Sequence, residues 1–491
     1  MSERIGYSKF FGRLFEILIP ASSWILITMP LWLSIFHPAI VAYFIIAFDL
    51  YFLYKSVTFA YLATVSYRKI LELQKVPFYK KILSCKNWKE VKHFVIIPNY
   101  KESLDKLEST VELIAASDYP EKIYLMLAFE KREPEARKKA EILKSKFSSR
   151  FSQILTSYHE LFPNEVQGKA SNQTFAAKKI DEFVSLNHWK RENVLITVCD
   201  ADSHLPQHYF SYLTYKFLLD DDRIHHFYWA AVLLYNNFWQ LPFFVRMQAT
   251  LSSIMRLAFL SKKDQLIQIS TYSTNLWLLK KINFWDVDII PEDWHVFYQA
   301  FFMFGNRIRT IPLYTIVNGD AVFSGGLLKT GINRYEQERR WAWGVSDVGY
   351  TLRKFFTTPQ IPVFAKLKRI TFLAEAHLLW PVSFFILTIS ASIPPLINPY
   401  FKQTVLGFLL PKLSALILTS SSLLLILYVY LDHKLRLRVD QKTKISAVPF
   451  LFIQWYLLPL VSFFFSSLPA LEAHTRLLFG KKIKYKVTEK V

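Results

Sequence analysis

Cysteine is nearly absent: Cys85 and Cys199 are the two in 491 residues. That excludes a disulfide scaffold and a cysteine-rich zinc module. No G-x-G-x-x-G run and no G-x-x-x-x-G-K-[ST] run occurs, so neither a dinucleotide fingerprint nor a P-loop is available. Charged residues are only 20% and hydrophobic residues reach 52%, which excludes a disordered chain, a collagen and a coiled coil. There is no internal repeat and no low-complexity linker. Acid is short of base, 39 against 60, for a net charge of +21. A basic surplus can mean nucleic acid. Here most of it flanks apolar runs, where it meets anionic lipid headgroups, so no nucleic-acid partner is expected.

What is present begins with uncharged apolar runs at both ends of the chain. Ile17–Phe36 carries no charge and is long enough to cross a hydrocarbon core of about 30 Å as a helix. Pro38–Tyr54 follows with a single Asp49, and His37 and Pro38 form the turn between the two. Later runs are Leu378–Phe401, Leu413–Leu431 and Ser446–Leu471. The first run is too long for a secretory signal peptide, and a second follows at once. Lys and Arg concentrate in Val65–His93, Arg353–Arg369 and Asp432–Lys444. The positive-inside rule then places the N-terminus, the middle domain and the 432–445 loop in the cytosol, on a multi-pass protein of the cytoplasmic membrane. The tail beyond Leu471 is also basic. Pro459 lies mid-run, so a re-entrant pair of half-helices would return that tail to the cytosolic side. The expected division is 1–64 for two N-terminal membrane helices, 65–368 for a cytosolic domain with interfacial helices, 369–475 for about three further membrane runs, and 476–491 for the tail.

The middle domain alternates strand and helix. His93–Pro98, Ile123–Phe129, Ile154–Tyr158 and Val194–Cys199 read as buried strands; Ser103–Ser117, Glu133–Phe147 and Ala170–Leu186 read as helices. Such alternation implies an α/β domain with a mainly parallel sheet covered on both faces, and ligands gather at the carboxyl ends of its strands. Polar clusters fall there: Asn99–Glu102, Glu130–Glu133 and Asp200–Asp202. The 205–262 stretch is rich in aromatics, and is expected against the membrane or packed in the core.

Four groups of residues carry chemistry. Asp200 and Asp202, spaced by one residue at a strand end, suit a hard divalent cation held against a diphosphate; alone they also read as a solvated turn. Pro291-Glu292-Asp293-Trp294 offers a carboxylate as general base, or a plain helix N-cap. Gln337, Arg340 and Trp341 bring an amide, a guanidinium and an indole to one helix, suited to pyrophosphate and a sugar ring, or to an interfacial helix. Lys169 opens a helix where it can reach a diphosphate, or is an ordinary basic helix start.

Taken in order, V-I-I-P-N-Y-K-E at Val95–Glu102, the acidic end of the second strand, Gly168-Lys169-Ala170, Asp200-Ala201-Asp202, Glu292-Asp293-Trp294 and Gln337-x-x-Arg340-Trp341 resemble the membrane-embedded family 2 glycosyltransferases, the group of cellulose, hyaluronan and chitin synthases. The resemblance spans roughly Phe94 to Trp343. It implies a GT-A-like domain and a nucleotide-sugar donor, usually uridine-linked. It implies Mg²⁺ or Mn²⁺ on Asp202 with Asp200, and donor contacts from Pro98, Tyr100, Glu102, Lys169 and Arg340. Asp293 would be the catalytic base, with Glu292, Gln337 and Trp341 at the acceptor. The implied reaction is inverting transfer to a growing polysaccharide. Alternatives are transfer of one sugar to a polyprenyl-phosphate or glycolipid acceptor, and an inactive membrane scaffold. Two positions depart from the pattern: the acid after the second strand is Glu130 where the family has Asp, and Pro291 replaces the usual Thr.

Overall fold

The computed structural model describes residues 9–436 and 453–483. Its centre is a seven-stranded sheet in the order β3-β2-β1-β4-β6-β5-β7. The strands are β1 Lys92–Asn99, β2 Tyr124–Glu130, β3 Gln153–His159, β4 Val194–Val198, β5 His226–Leu233, β6 Tyr272–Asn275 and β7 Arg309–Asn318. β1 to β4 run parallel, β5 pairs in parallel with β7, and β6 is antiparallel to both its neighbours.

Alternation along β1 and β2 explains why both faces are covered. Phe94, Ile96, Met126 and Ala128 enter one core with Ala176, Ile180 and Val184 of helix Lys169–Leu186. Val95, Ile97, Leu125 and Leu127 enter the other with Leu107, Val111 and Ile114 of helix Leu104–Ala115. All are buried, and each such side chain contributes about 1.5–3 kcal/mol relative to exposure. The parallel strands therefore read as unbroken apolar runs.

The 205–262 stretch resolves into helix Tyr209–Leu218, strand β5 and helix Phe243–Leu260. Tyr209, Tyr212, Tyr228 and Trp229 are fully buried in the two cores. Helix Phe243–Leu260 packs along the membrane-length helices Pro38–Leu73 and Val405–Leu435, and Tyr235 donates to Asp432 at 2.8 Å.

Among the described residues, five helices are long and apolar enough to cross a membrane: Phe10–Phe36, Pro38–Leu73, Val363–Thr388, Val405–Leu435 and Gln454–Leu478. The run read from sequence as Ser446–Leu471 begins outside the described residues; its remainder is one helical path, with a π-turn at Phe463–Ser467. Most of the 432–445 loop and the tail beyond Ile483 also lie outside them. Arg13 donates to the carbonyls of Leu477 and Leu478 at 2.5 and 2.9 Å. The last helix thus ends where the first begins. The sheet domain is tied to that same end. Gly349 lets helix Ser346–Thr357 press on Glu16, since an added Cβ would lie 2.8 Å from its Cγ, and Arg353 pairs with Glu16 at 3.0 Å.

Phe10 and Phe479 are exposed. Cysteines placed there, in a chain lacking Cys85 and Cys199, should be labelled by an impermeant maleimide from the same side of sealed vesicles. Labelling from opposite sides would contradict the shared end.

Candidate active site

Strand ends and helix starts build the site. β1 delivers Pro98 and then Tyr100 and Glu102, β2 ends on Glu130, and β4 ends just before Asp200 and Asp202. Lys169 is the first residue of its helix, and Glu292 and Asp293 open helix Glu292–Phe304. Gln337, Arg340 and Trp341 lie in the last turns of helix Leu327–Ala342. All twelve line one cavity of about 1520 Å³. Its wall continues between the membrane-length helices, past Phe52, Phe384, Leu387 and Leu418.

Lys169 is the hub. Its Nζ lies 2.8 Å from Asp200 Oδ1, 3.1 Å from Glu292 Oε1 and 3.6 Å from Asp293 Oδ1. Burial opposes its charge, but Asp200, Asp293 and Glu292 outweigh it and hold the ammonium well above its ordinary pKa. Asp293 is pushed the other way, up to about 8: burial leads, Glu292 and Asp200 add to it, and Lys169 only partly offsets them. A carboxyl poised near neutrality suits a general base. Ser270 ties the acids together. Its backbone N–H donates to Asp293 Oδ2 at 2.7 Å and its hydroxyl donates to Asp200. It does so from a left-handed backbone, φ +68°, a conformation costly outside glycine.

At the ends of β1 and β2 the Arg132 guanidinium lies 3.8 Å from the centre of the Tyr100 ring and pairs with Glu130. Glu130 is therefore engaged at the wall, where the sequence left its role open. Glu102 accepts from the backbone N–H of Tyr100. Burial, then Asp202 and Glu133, raise it to about 7. Asp202 Oδ2 accepts from the backbone N–H of Asp320 at 3.2 Å, and Asp320 pairs with Lys106 at 2.9 Å. Among the described residues no group of three or more His, Cys, Asp or Glu is placed to hold a cation alone. The donors at this wall are hard carboxylate oxygens, Asp202 foremost, since Asp200 is taken by Lys169 and Ser270. Mg²⁺ or Mn²⁺ fits such a set when one or two carboxylates suffice and a diphosphate and water complete the sphere.

On helix Leu327–Ala342, Arg334, which the sequence did not single out, organises the side chains around it. Its guanidinium donates to Gln337 at 2.5 Å, Glu338 at 2.5 Å and Gln248 at 2.8 Å, and lies 5.0 Å from the Trp341 ring centre. His295 was also missed. It sits on the helix of Asp293, with Asp347 2.7 Å from Nδ1 and Asp286 3.0 Å from Nε2. Burial works against its charge, but Asp347 and Asp286 raise it to about 9. This buried imidazolium pins the start of the Asp293 helix to helix Ser346–Thr357. Motif order gives no sign of either residue: His295 acts through Asp286 and Asp347, and Arg334 joins its helix neighbours Gln337 and Glu338 to the distant Gln248.

No protein-family model matches the chain, and no curated protein matches its sequence. Among solved structures, the mannosyltransferase PcManGT from Pyrobaculum calidifontis, in complex with GDP-Man and Mn²⁺, is similar over 89% of this chain and 100% of its own, at 14% identity and a TM-score of 0.40. A likeness that low carries neither fold nor activity across.

Two outcomes test the geometry. Lys169→Met should lower the melting temperature markedly, since breaking a buried ion cluster costs about 3–5 kcal/mol; adding Asp200→Asn should restore part of the loss. His295→Asn should lower turnover by about 10- to 100-fold, the scale of a small misplacement of a reacting group, with donor KM little changed. Unchanged turnover would remove His295 from the positioning of Asp293.

Proposed function

We propose that the chain is a membrane glycosyltransferase that moves a sugar from a nucleotide sugar to an acceptor hydroxyl, with inversion. The observation that carries this reading is the convergence of Asp200, Glu292 and Asp293 on one ammonium, in a cavity open both to the strand ends and to the apolar helices. The diphosphate is met at the strand ends by Lys169 and Arg340. The nucleoside lies along Pro98, Tyr100 and Glu130. The acceptor arrives past Gln337 and Trp341, with Glu292 beside it, and its hydroxyl faces Asp293.

In the transfer step the acceptor oxygen forms a bond to the anomeric carbon and gives its proton to the Asp293 carboxylate. The bond from that carbon to the diphosphate oxygen breaks, and its electron pair leaves with the diphosphate. Lys169 and Arg340 meet the growing negative charge, at positions set before the reaction begins. Asp202, with Asp200, would hold Mg²⁺ or Mn²⁺, which supplies further neutralisation of the diphosphate when bound. Ser270 and His295 keep Asp293 aimed.

The polymer reading rests on the Gln337-x-x-Arg340-Trp341 pattern, and has a growing polysaccharide as acceptor. Transfer of a single sugar to a lipid carrier is the second reading, favoured by the apolar wall of the cavity between the helices. Labelled nucleotide sugars given to purified protein should yield a high-mass, glycosidase-sensitive product on the first reading and a sugar-tagged lipid on the second.

Asp293→Asn should abolish transfer, by about 10²-fold or more, while nucleotide diphosphate still binds; retained transfer would end the proposal. Asp293 must be unprotonated to accept a proton, and its pKa is raised to about 8. The kcat/KM of the unmutated protein should therefore rise with pH toward that value, well above the ordinary carboxylate range.

A further inference from the structure

The cavity changes character along its length. Its wall is acidic at the strand ends, and apolar between the helices, where Phe48, Phe384 and Leu418 line it. Lys55, Lys262 and Glu375 also line it. Glu375 is taken by Lys55 and Tyr51, which both donate to its Oε1. Lys262, just past helix Phe243–Leu260, has no such partner: no carboxylate among the described residues lies within ion-pair distance of it. Its Nζ rests 4.3 Å from the centre of the Phe372 ring. Phe372 stacks on Trp294, with ring centres 5.6 Å apart, and Trp294 adjoins Asp293 in the chain. Lys55 and Lys262 thus share the single Glu375 carboxylate, and the surplus ammonium is costly where burial strips it of water. Burial, reinforced by Lys55 and opposed by Glu375, presses Lys262 down to about 8.

We propose that Lys262, supported by Lys55, is an anion subsite for the acceptor, and that it takes the phosphate of a lipid-linked sugar whose apolar chain lies along Phe48, Phe384 and Leu418. The inference rests on the glycosyl-transfer reading and names its acceptor class. A neutral glycan calls for hydroxyl partners and ring faces, and leaves an extra ammonium without purpose. A phosphate supplies the missing charge and several strong acceptor oxygens. The order of the cavity wall, apolar, then cationic, then Asp293, matches the order of lipid, phosphate and hydroxyl in such an acceptor. The Phe372–Trp294 pair separates the cation from the base, so the anion and the attacking hydroxyl sit apart on the acceptor.

The test is binding, not transfer. Full-length protein in detergent is dialysed against radiolabelled farnesyl phosphate, with farnesol and inorganic phosphate as comparison probes. Farnesyl phosphate should bind saturably. Farnesol and inorganic phosphate should each bind about tenfold more weakly or worse, a difference of about 1.4 kcal/mol. Lys262→Ala and Lys262→Gln should weaken farnesyl phosphate by about tenfold, and Lys262→Arg should retain it. Equal binding by Lys262→Gln and the unmutated chain overturns the subsite. Farnesol binding as tightly as its phosphate overturns the anion, and inorganic phosphate binding as tightly overturns the lipid. Nucleotide diphosphate binding with Mn²⁺, measured on the same variants, reports that the donor end is folded. Absence of saturable farnesyl phosphate binding by the unmutated chain, with sugar transfer intact, rejects this inference alone; retained transfer in Asp293→Asn ends the glycosyl-transfer reading and leaves the subsite measurement standing.

Discussion

Three carboxylates held around one ammonium are the constraint on which the rest of the site depends. Asp200 and the Glu292-Asp293 pair come from distant parts of the chain and meet at the wall of one cavity. Without Lys169 their mutual repulsion would drive the segments apart or force protonation. With it, the three acids are held together on one cation. The cost is visible in the local backbone. Lys169 opens a helix, where the aligned peptide dipoles disfavour a cation, so the position is chosen for the cluster and not for the helix. Glu292 and Asp293 sit in the first turn of their own helix, where the same dipole favours them.

The sheet makes this meeting possible. Parallel strands β1, β2 and β4 end at one edge, and the helices that follow begin there, so carboxylates and the lysine share a rim. β6 runs the other way between β4 and β5, and the segment leading into it carries Ser270 to that rim. Ser270 then joins Asp200, just past β4, to Asp293, 23 residues downstream of it at the start of a helix. A single strained residue thus links the polar ends of two elements whose apolar faces enter one core.

The legible part of the fold was the part with both faces buried. β1, β2 and β4 stand out as apolar runs because inner parallel strands leave no side for polar residues, whereas the edge strand β3 is mixed, with Gln153 exposed and Thr156 half-buried. β6, Tyr272–Asn275, gives no such signal: its Ser273, Thr274 and Asn275 are buried by hydrogen bonds to Thr197, the His226 carbonyl and the Glu192 carbonyl. β5 is apolar throughout but lies in an aromatic-rich stretch that equally suited a membrane surface. The same division holds at the site. Residues at strand ends or in ordered motifs were visible, and the structure gathers them in one cavity. Ser270 and His295 were not visible, since each matters through partners that folding brings to it; Arg334 carried only an i,i+4 pairing with Glu338 as a local sign, and its link to Gln248 comes with the fold.

The wall formed by Gln337 and Trp341 shows how the membrane-length helices and the sheet domain are joined. Helix Leu327–Ala342 presents Gln337, Arg340 and Trp341 to the cavity, and its outer face is bound to the last helix: Tyr335 and Arg339 both donate to Glu472, at 2.8 and 2.7 Å. At Phe463–Ser467 that last helix loosens into a π-turn, which leaves a carbonyl without its usual helical partner. Gln248 takes up the Phe465 carbonyl at 2.5 Å and also accepts from Arg334. One chain of contacts therefore runs from the last helix, through Gln248, to the guanidinium that sets Gln337 and faces Trp341. A shift of the last helix is thereby passed to Gln337 and Trp341 at the cavity wall, so the apolar helices and the sheet domain set the geometry of that wall together.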